Sequence, residues 1–236
     1  MMRQTRRHVG ALTLVLALGL GAHAHAAPAL ITTCGTITTS GSYKVANNLV
    51  AAGNCLILAA SNVSIDLDGF TISGDGTTGS GITTFGVVEG LSVRNGTIRL
   101  FDSGINVFGN NMLIERMSLM RNASYGLRAV EDVLLKDSIV SGNGVGVQVG
   151  EGAVVTGNTI SFNTSDGLRT AVAGASPGGT FAGNTLLRNG GAGLRVECPS
   201  AIIGNTANGN AGGNVVRVGN GCSLIRLTHN VAPPLP

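Results

Sequence analysis

No tryptophan occurs in these 236 residues, and two Tyr and six Phe make up the whole aromatic content. A thick aromatic core is thereby excluded, and aromatic platforms of the kind on which sugar rings stack are scarce, Tyr125 being the best placed. Charge is scarce as well, because only 11% of the residues are Asp, Glu, Lys or Arg, against about 25% in ordinary globular domains. Three of the four histidines, His8, His23 and His25, fall near the N-terminus, so His229 alone is left for acid–base or metal chemistry in the rest of the chain. No stretch carries the roughly 20 consecutive apolar residues that a membrane-spanning helix needs. Beyond the N-terminus no segment reads as a long, capped amphipathic helix; the one modest candidate, YKVANNLVAAG at 43–53, reads equally well as extended chain.

The N-terminus has its own logic. Arg3, Arg6 and Arg7 precede the apolar run ALTLVLALGL at 11–20, and the small-residue stretch AHAHAA follows. This is the pattern of a secretory signal peptide, 1–26, cut after Ala26 or alternatively after Ala24. Its removal leaves 12 Lys and Arg against 12 Asp and Glu, so the basic character of the whole chain belongs to the signal. The exported chain, periplasmic or extracellular, is then near neutral, which gives no general attraction to nucleic acid or to an anionic membrane surface.

What the sequence has in abundance is glycine, 37 residues of it, and internal repetition. SIVSGNGVGVQV at 138–149, GNTISFNTSDGLRT at 157–170 and GNTLLRNGGAGLRV at 183–196 are copies of one unit. One Asn of the unit recurs at Asn122, Asn143, Asn163, Asn189, Asn210 and Asn230, with gaps of 21, 20, 26, 21 and 20. The long gap is accounted for by a loop insertion at 171–180, rich in Gly and Ala and containing Pro177. An earlier Asn column runs through Asn95, Asn158, Asn184 and Asn205 and is broken by Met117 and Ser138. After the second Asn comes Gly-apolar-x-apolar, as in Gly126-Leu127-Arg128-Ala129 and Gly146-Val147-Gln148-Val149, an alternation that marks a strand with one buried face.

A period of about 21 residues with short strands and Gly or Asn between them describes an all-β solenoid, a single-stranded right-handed parallel β-helix of about eight coils over 27–236, with 27–62 as N-terminal capping segment and first coil. Asn is expected at the corners, where it tolerates left-handed backbone, and stacked Asn side chains can bond along the column. The four cysteines suit an oxidising compartment. Cys34 and Cys55 are 21 apart and Cys198 and Cys222 are 24 apart, each close to one period, so the spacing predicts one staple near each end, the alternatives being other pairings or free thiols in a chain that is never oxidised.

The segment CGTITTSGSYKVANNLVAAGNCLILAASNVSIDLDGFTISG at 34–74 resembles the opening of right-handed parallel β-helices of the pectate-lyase-like fold, among them secreted bacterial repeat proteins of unassigned role. The resemblance covers nearly all of the chain after the signal and implies fold rather than activity, since that superfamily includes lyases, hydrolases, epimerases, adhesins and inert spikes. It also implies that a ligand lies along the outer face of the Gly-apolar-x-apolar strand. The outward residues there are Thr83, Asn106, Arg128, Gln148, Arg169 and Arg195, a polar stripe with three guanidinium groups spaced by the roughly 4.8 Å between coils.

Such a stripe can hold carboxylates or sulfates, and it can equally be a solvated outer face. Glu131 and Glu151 are expected to stack on adjacent coils beside Asp132, a weak candidate for a hard cation and more simply a set of solvated turn residues. Asp66 and Asp68 in SIDLDGF read first as a turn. The calcium-binding Asp cluster of pectate lyases and the Gly-His-Gly and Arg-Ile-Lys motifs of polygalacturonases have no counterpart here, and Asp166 near Arg169 has no visible second carboxylate of the kind glycoside hydrolysis uses.

The sequence thus predicts an exported, non-catalytic structural or ligand-binding protein, without cofactor, whose partner is an anionic polysaccharide or a cell-surface component. The alternative is a small polysaccharide lyase or epimerase acting on uronate polymers, with Arg169 or Arg195 taking the proton and Glu131, Asp132 and Glu151 holding a cation. A third expectation is self-association through the C-terminal coil end, where the chain closes in VAPPLP with no covering helix.

Overall fold

Strands two to nine residues long, many of them with alternating burial, are what a repeat of this length allows, and the chain stacks them in register. A computed structural model describes residues 27–170 and 178–218; within them the protein is an all-β parallel solenoid of about eight turns with a period near 21 residues, and no helix occurs. Nine strands, from Gly35–Ile37 through Tyr125–Glu131 to Val215–Val218, form one sheet in unbroken chain order. A second sheet of 15 strands covers two further faces, joined where Ser92–Arg99 and Met112–Met120 run through both. The segment at 43–53 is extended, within Gly41–Val45 and Leu49–Val50.

Each face sends one aliphatic stack inward. Ile105, Leu127, Val147, Leu168 and Leu194 pair coil by coil on the nine-stranded sheet, and all are fully buried. Val93, Ile114, Leu135 and Val155 form the second stack, and Ile98, Leu119, Val140 and Ile160 the third. Each such side chain contributes about 1.5–3 kcal/mol on burial, and it is buried only because the neighbouring coil lies above and below it.

The asparagines of the repeat belong to this interior. Asn122, Asn143, Asn163 and Asn189 are at most 1% exposed, and each presents its Oδ1 to the backbone N–H and the side-chain amide of the Asn one coil earlier, except that Asn122 receives the N–H of Phe101. Asn210 closes the described part of the ladder on Asn189, and Asn230 lies outside the described residues. The amides also donate to buried carbonyls, Asn143 to Leu119 and Asn163 to Val140. The Oδ1 of every described Asn in the column, and the backbone N–H of each from Asn122 to Asn189, thus have partners, as burial requires.

The expectation that these Asn residues take the left-handed corners is corrected. The residue just before each Asn does so: Arg121, Gly142, Phe162, Arg188 and Gly209 have φ between 51° and 71°. The left-handed step rotates the chain and turns the following Asn inward. The break at Ser138 is also repaired, because its hydroxyl accepts the N–H of Met117 while its own N–H donates to Asn158 Oδ1. Ser138 is therefore a shorter member of the same column.

The strand-initial glycines serve the Asn ladder. A Cβ on Gly146 would stand 2.3 Å from the carbonyl oxygen of Gly167 and 2.7 Å from Nδ2 of Asn163, and Gly126 is equally crowded by Gly146 and Asn143. At the N-terminal end Cys34 and Cys55 form the predicted disulfide, joining consecutive coils with Cα atoms 4.6 Å apart. The second predicted pair, Cys198 to Cys222, ends outside the described residues, as do the signal segment, the C-terminal coil end and positions 171–177 of the insertion. Thr180 is already the first residue of the strand Thr180–Ala182.

Candidate functional site

Alternation along the nine-stranded sheet places Ile57, Thr83, Asn106, Arg128, Gln148, Arg169, Arg195 and Val216 in one outward column, each paired with the next across a single coil step. The six polar members follow the order expected from the repeat. Around the middle of this column lies a concavity of about 710 Å³, bounded by Phe108, Tyr125, Arg128, Gln148, Asp166, Arg169 and Arg195.

Each guanidinium is held by neighbours in the column. Arg169 donates from Nε to Gln148 Oε1 at 2.8 Å and from Nη2 to the Tyr125 hydroxyl at 3.4 Å, and its cationic carbon lies 5.8 Å from the Tyr125 ring centre. Arg128 donates to Asn106 Oδ1 at 3.4 Å and sits 5.3 Å from the Phe108 ring centre. Cation–π placement over two rings restrains the arginines without neutralising them. Phe108 was missed in the sequence, although it is the next outward residue after Asn106 by the same alternation.

Arg195 differs from the other two. Its Nε lies 2.9 Å from Asp166 Oδ2, and Nη2 is 3.4 Å from Oδ1, while Oδ1 also accepts the backbone N–H of Ala192 at 2.7 Å. Asp166 is buried, so this is a positioned ion pair rather than a chance surface contact. The sequence put Asp166 beside Arg169; the structure gives it to Arg195 on the following coil. Arg128 and Arg169 form no ion pair among the described residues. Three guanidinium groups therefore face one carboxylate, and the excess positive charge is concentrated on the two coils of Arg128 and Arg169.

The acidic candidates are placed apart from this arrangement. Glu131 and Glu151 are in register and both exposed, and Asp132 occupies an adjacent corner with φ 30°. No group of three His, Cys, Asp or Glu side chains capable of holding a metal ion occurs among the described residues. Asp166 is the one carboxylate bordering the concavity, so the pair of carboxylates that glycoside hydrolysis employs is not assembled there.

A second ordered column went unread in the sequence. On the neighbouring face Lys44, Asp66, Arg94, Glu115 and Lys136 pair in register and alternate in sign. Arg94 bonds Asp66 at 2.9 Å, and buried Glu115 receives Arg116 at 2.6 Å and Lys136 at 2.9 Å. The Lys136 hydrogen bond, followed by the positive charges of Arg116, Lys136 and Arg94, holds the Glu115 carboxyl below its ordinary range despite the opposing effect of burial. Asp66 likewise lies below the usual value, burial being outweighed by the Asp68 N–H and by Arg94 and Asn95. Every charged group of this column has an oppositely charged partner, Lys44 pairing with Asp68 beside it, whereas Arg128 and Arg169 in the groove have none among the described residues.

No protein-family model, no curated protein and no solved structure matches this chain.

Proposed function

We propose that this protein is an exported, non-catalytic binding protein whose ligand is an anionic polysaccharide carrying carboxylate or sulfate groups, held in the groove of Arg128, Gln148 and Arg169. The single observation that carries the reading is the contrast between the two charged columns: in one every charge has an ion-pair partner, while Arg128 and Arg169 are buttressed by amides and rings and left without a carboxylate among the described residues. Ordered guanidinium groups aimed into a concave surface bind planar anions in bidentate fashion with little ordering cost. Tyr125 and Phe108 add the ring faces against which an apolar sugar face can pack. The pectate-lyase-like resemblance of the opening segment, the signal-like N-terminus and the Cys34–Cys55 disulfide support export and a β-helix of that kind. No helix among the described residues is long and apolar enough to cross a membrane.

The test is retention of the oxidised protein on immobilised anionic and neutral polysaccharides, comparing wild type with the Arg128→Ala/Arg169→Ala variant. Salt-sensitive retention on the anionic matrices that the variant loses is the expected result. Absence of retention on every matrix would overturn the reading. Release of unsaturated uronate products, abolished by Arg169→Ala, would replace binding by the lyase reaction.

A further inference from the structure

A parallel solenoid needs a left-handed residue wherever a coil turns sharply, and three corner columns of this protein meet the need. In the first, Asn62, Gly90, Asn111, Asp132 and Gly152 take positive φ. In the second, the residues are Asp68, Asn95, Arg116, Asp137, Gly157, Gly183 and Gly204. These are the residue types that tolerate the conformation, and the exception, Arg116, is engaged by Glu115 and Asn95.

The third column breaks this rule. It reads Leu100, Arg121, Gly142, Phe162, Arg188 and Gly209, with Leu100 at φ 59° and Phe162 at φ 55°. Bulky side chains suffer a steric penalty there that Gly or Asn would avoid, and the fold gains no burial in exchange: Leu100 is 36% and Phe162 56% exposed. Arg121 and Arg188 are exposed too, and Arg99 extends the row from the end of its strand. Arg188 stacks 5.7 Å from the Phe162 ring centre. None of these three arginines forms an ion pair among the described residues; Asp75, in the loop beside Leu100, is ionised and accepts its hydrogen bonds from Thr77 and Thr78 rather than from an arginine.

From this we infer that the corner ridge of Leu100, Arg121, Phe162 and Arg188 docks the protein edge-on to an anionic lipid surface. Along the solenoid axis the ridge reads apolar, cation, Gly and then apolar, cation, Gly again, so Leu100 and Phe162 enter the boundary between headgroups and acyl chains while Arg99, Arg121 and Arg188 meet phosphate oxygens. A linear ridge suits a laterally continuous partner, and its unmatched positive charge complements an anionic one. Several of the acidic residues sit away from the ridge, Asp66 and Glu115 in the ion-paired column and Asp68, Asp132 and Asp137 at the other corners.

The experiment is co-sedimentation of the oxidised protein with vesicles of phosphatidylglycerol and phosphatidylcholine, and with vesicles of phosphatidylcholine alone. Binding is expected only to the anionic vesicles, falling with added salt and weakened on the order of tenfold in Arg121→Gln/Arg188→Gln. Leu100→Gly/Phe162→Gly relieves the backbone penalty, so it is expected to lose vesicle binding while its melting temperature stays the same or rises. Arg128→Ala/Arg169→Ala is expected to bind vesicles like wild type, which separates this surface from the groove. No binding to anionic vesicles, unchanged binding by both ridge variants, or loss of binding in the groove variant would overturn the proposal.

Discussion

Arg195 and Arg169 are paired residues of adjacent strands, yet only Arg195 is neutralised, by buried Asp166 at 2.9 Å. The identity of the stripe residues does not reveal this difference. It divides three similar arginines into one that is structural and two that are free to meet an anion.

Asp166→Asn is therefore expected to act in two directions. It removes a buried charged acceptor from Arg195, costing about 1–3 kcal/mol of stability, toward the lower end because Arg195 is itself partly solvated. It also releases a third cation into the groove, so retention on anionic polysaccharide should strengthen and its salt dependence steepen. Urea unfolding and salt-gradient elution measure the two effects separately, and a weaker, salt-insensitive retention would contradict the assignment.

The Asn ladder predicts a cost unlike that of an ordinary polar substitution. Asn163→Ala deprives the N–H and Nδ2 of Asn143 of their acceptor and the carbonyl of Val140 of a donor, all within the dry interior. About 3 kcal/mol or more should be lost in chemical denaturation. Asn163→Ser should retain part of it, since Ser138 already fills such a place by accepting one N–H.

The compensated column makes stability depend on acid. Glu115 has its carboxyl pKa lowered in the folded protein from an ordinary value of 4.5, first by the Lys136 hydrogen bond. Protons thus bind the unfolded chain more readily, so the stabilisation is complete above 4.5 and is lost as pH falls through the lower folded value. Glu115→Gln should be less stable near neutrality and show a shallower loss between there and acid pH. Parallel pH–stability curves for the two proteins would count against the ion-pair ladder.

Glycine at the start of the groove strands is required by close approach rather than by turning. Gly146→Ala would press its methyl group against the Gly167 carbonyl at 2.3 Å and is expected to destabilise by about 1–3 kcal/mol or prevent folding. Gly35→Ala, with nothing within 4 Å of the added carbon, should leave the melting temperature nearly unchanged.

Much of this architecture was legible in advance because a solenoid converts distance along the chain into position in space. Adding one period moves a residue to the next coil, so the order Asn106, Arg128, Gln148, Arg169 and Arg195 and the Cys34–Cys55 link could be read by counting. The alternating charges of Lys44, Asp66, Arg94, Glu115 and Lys136 obeyed the same rule, but were hidden because that face has no conspicuous Gly-apolar motif to set the register.

The sequence by itself thus determined the period, the inward and outward alternation and the contents of the groove and Asn122–Asn210 columns. It put Asn95 in the column of Asn158, however, whereas the structure places Asn95 one position earlier, at a left-handed corner. Tertiary structure alone decided which residue of a corner adopts left-handed backbone and which turns inside, because the two are neighbours in the chain and Asn suits either place. It also decided that Asp166 reaches forward to Arg195 rather than sideways to Arg169, since such a contact depends on side-chain direction and on how the chain re-enters the stack after the insertion. Periodicity supplies the register of the backbone; the partners of a polar side chain follow from the three-dimensional surroundings into which that register delivers it.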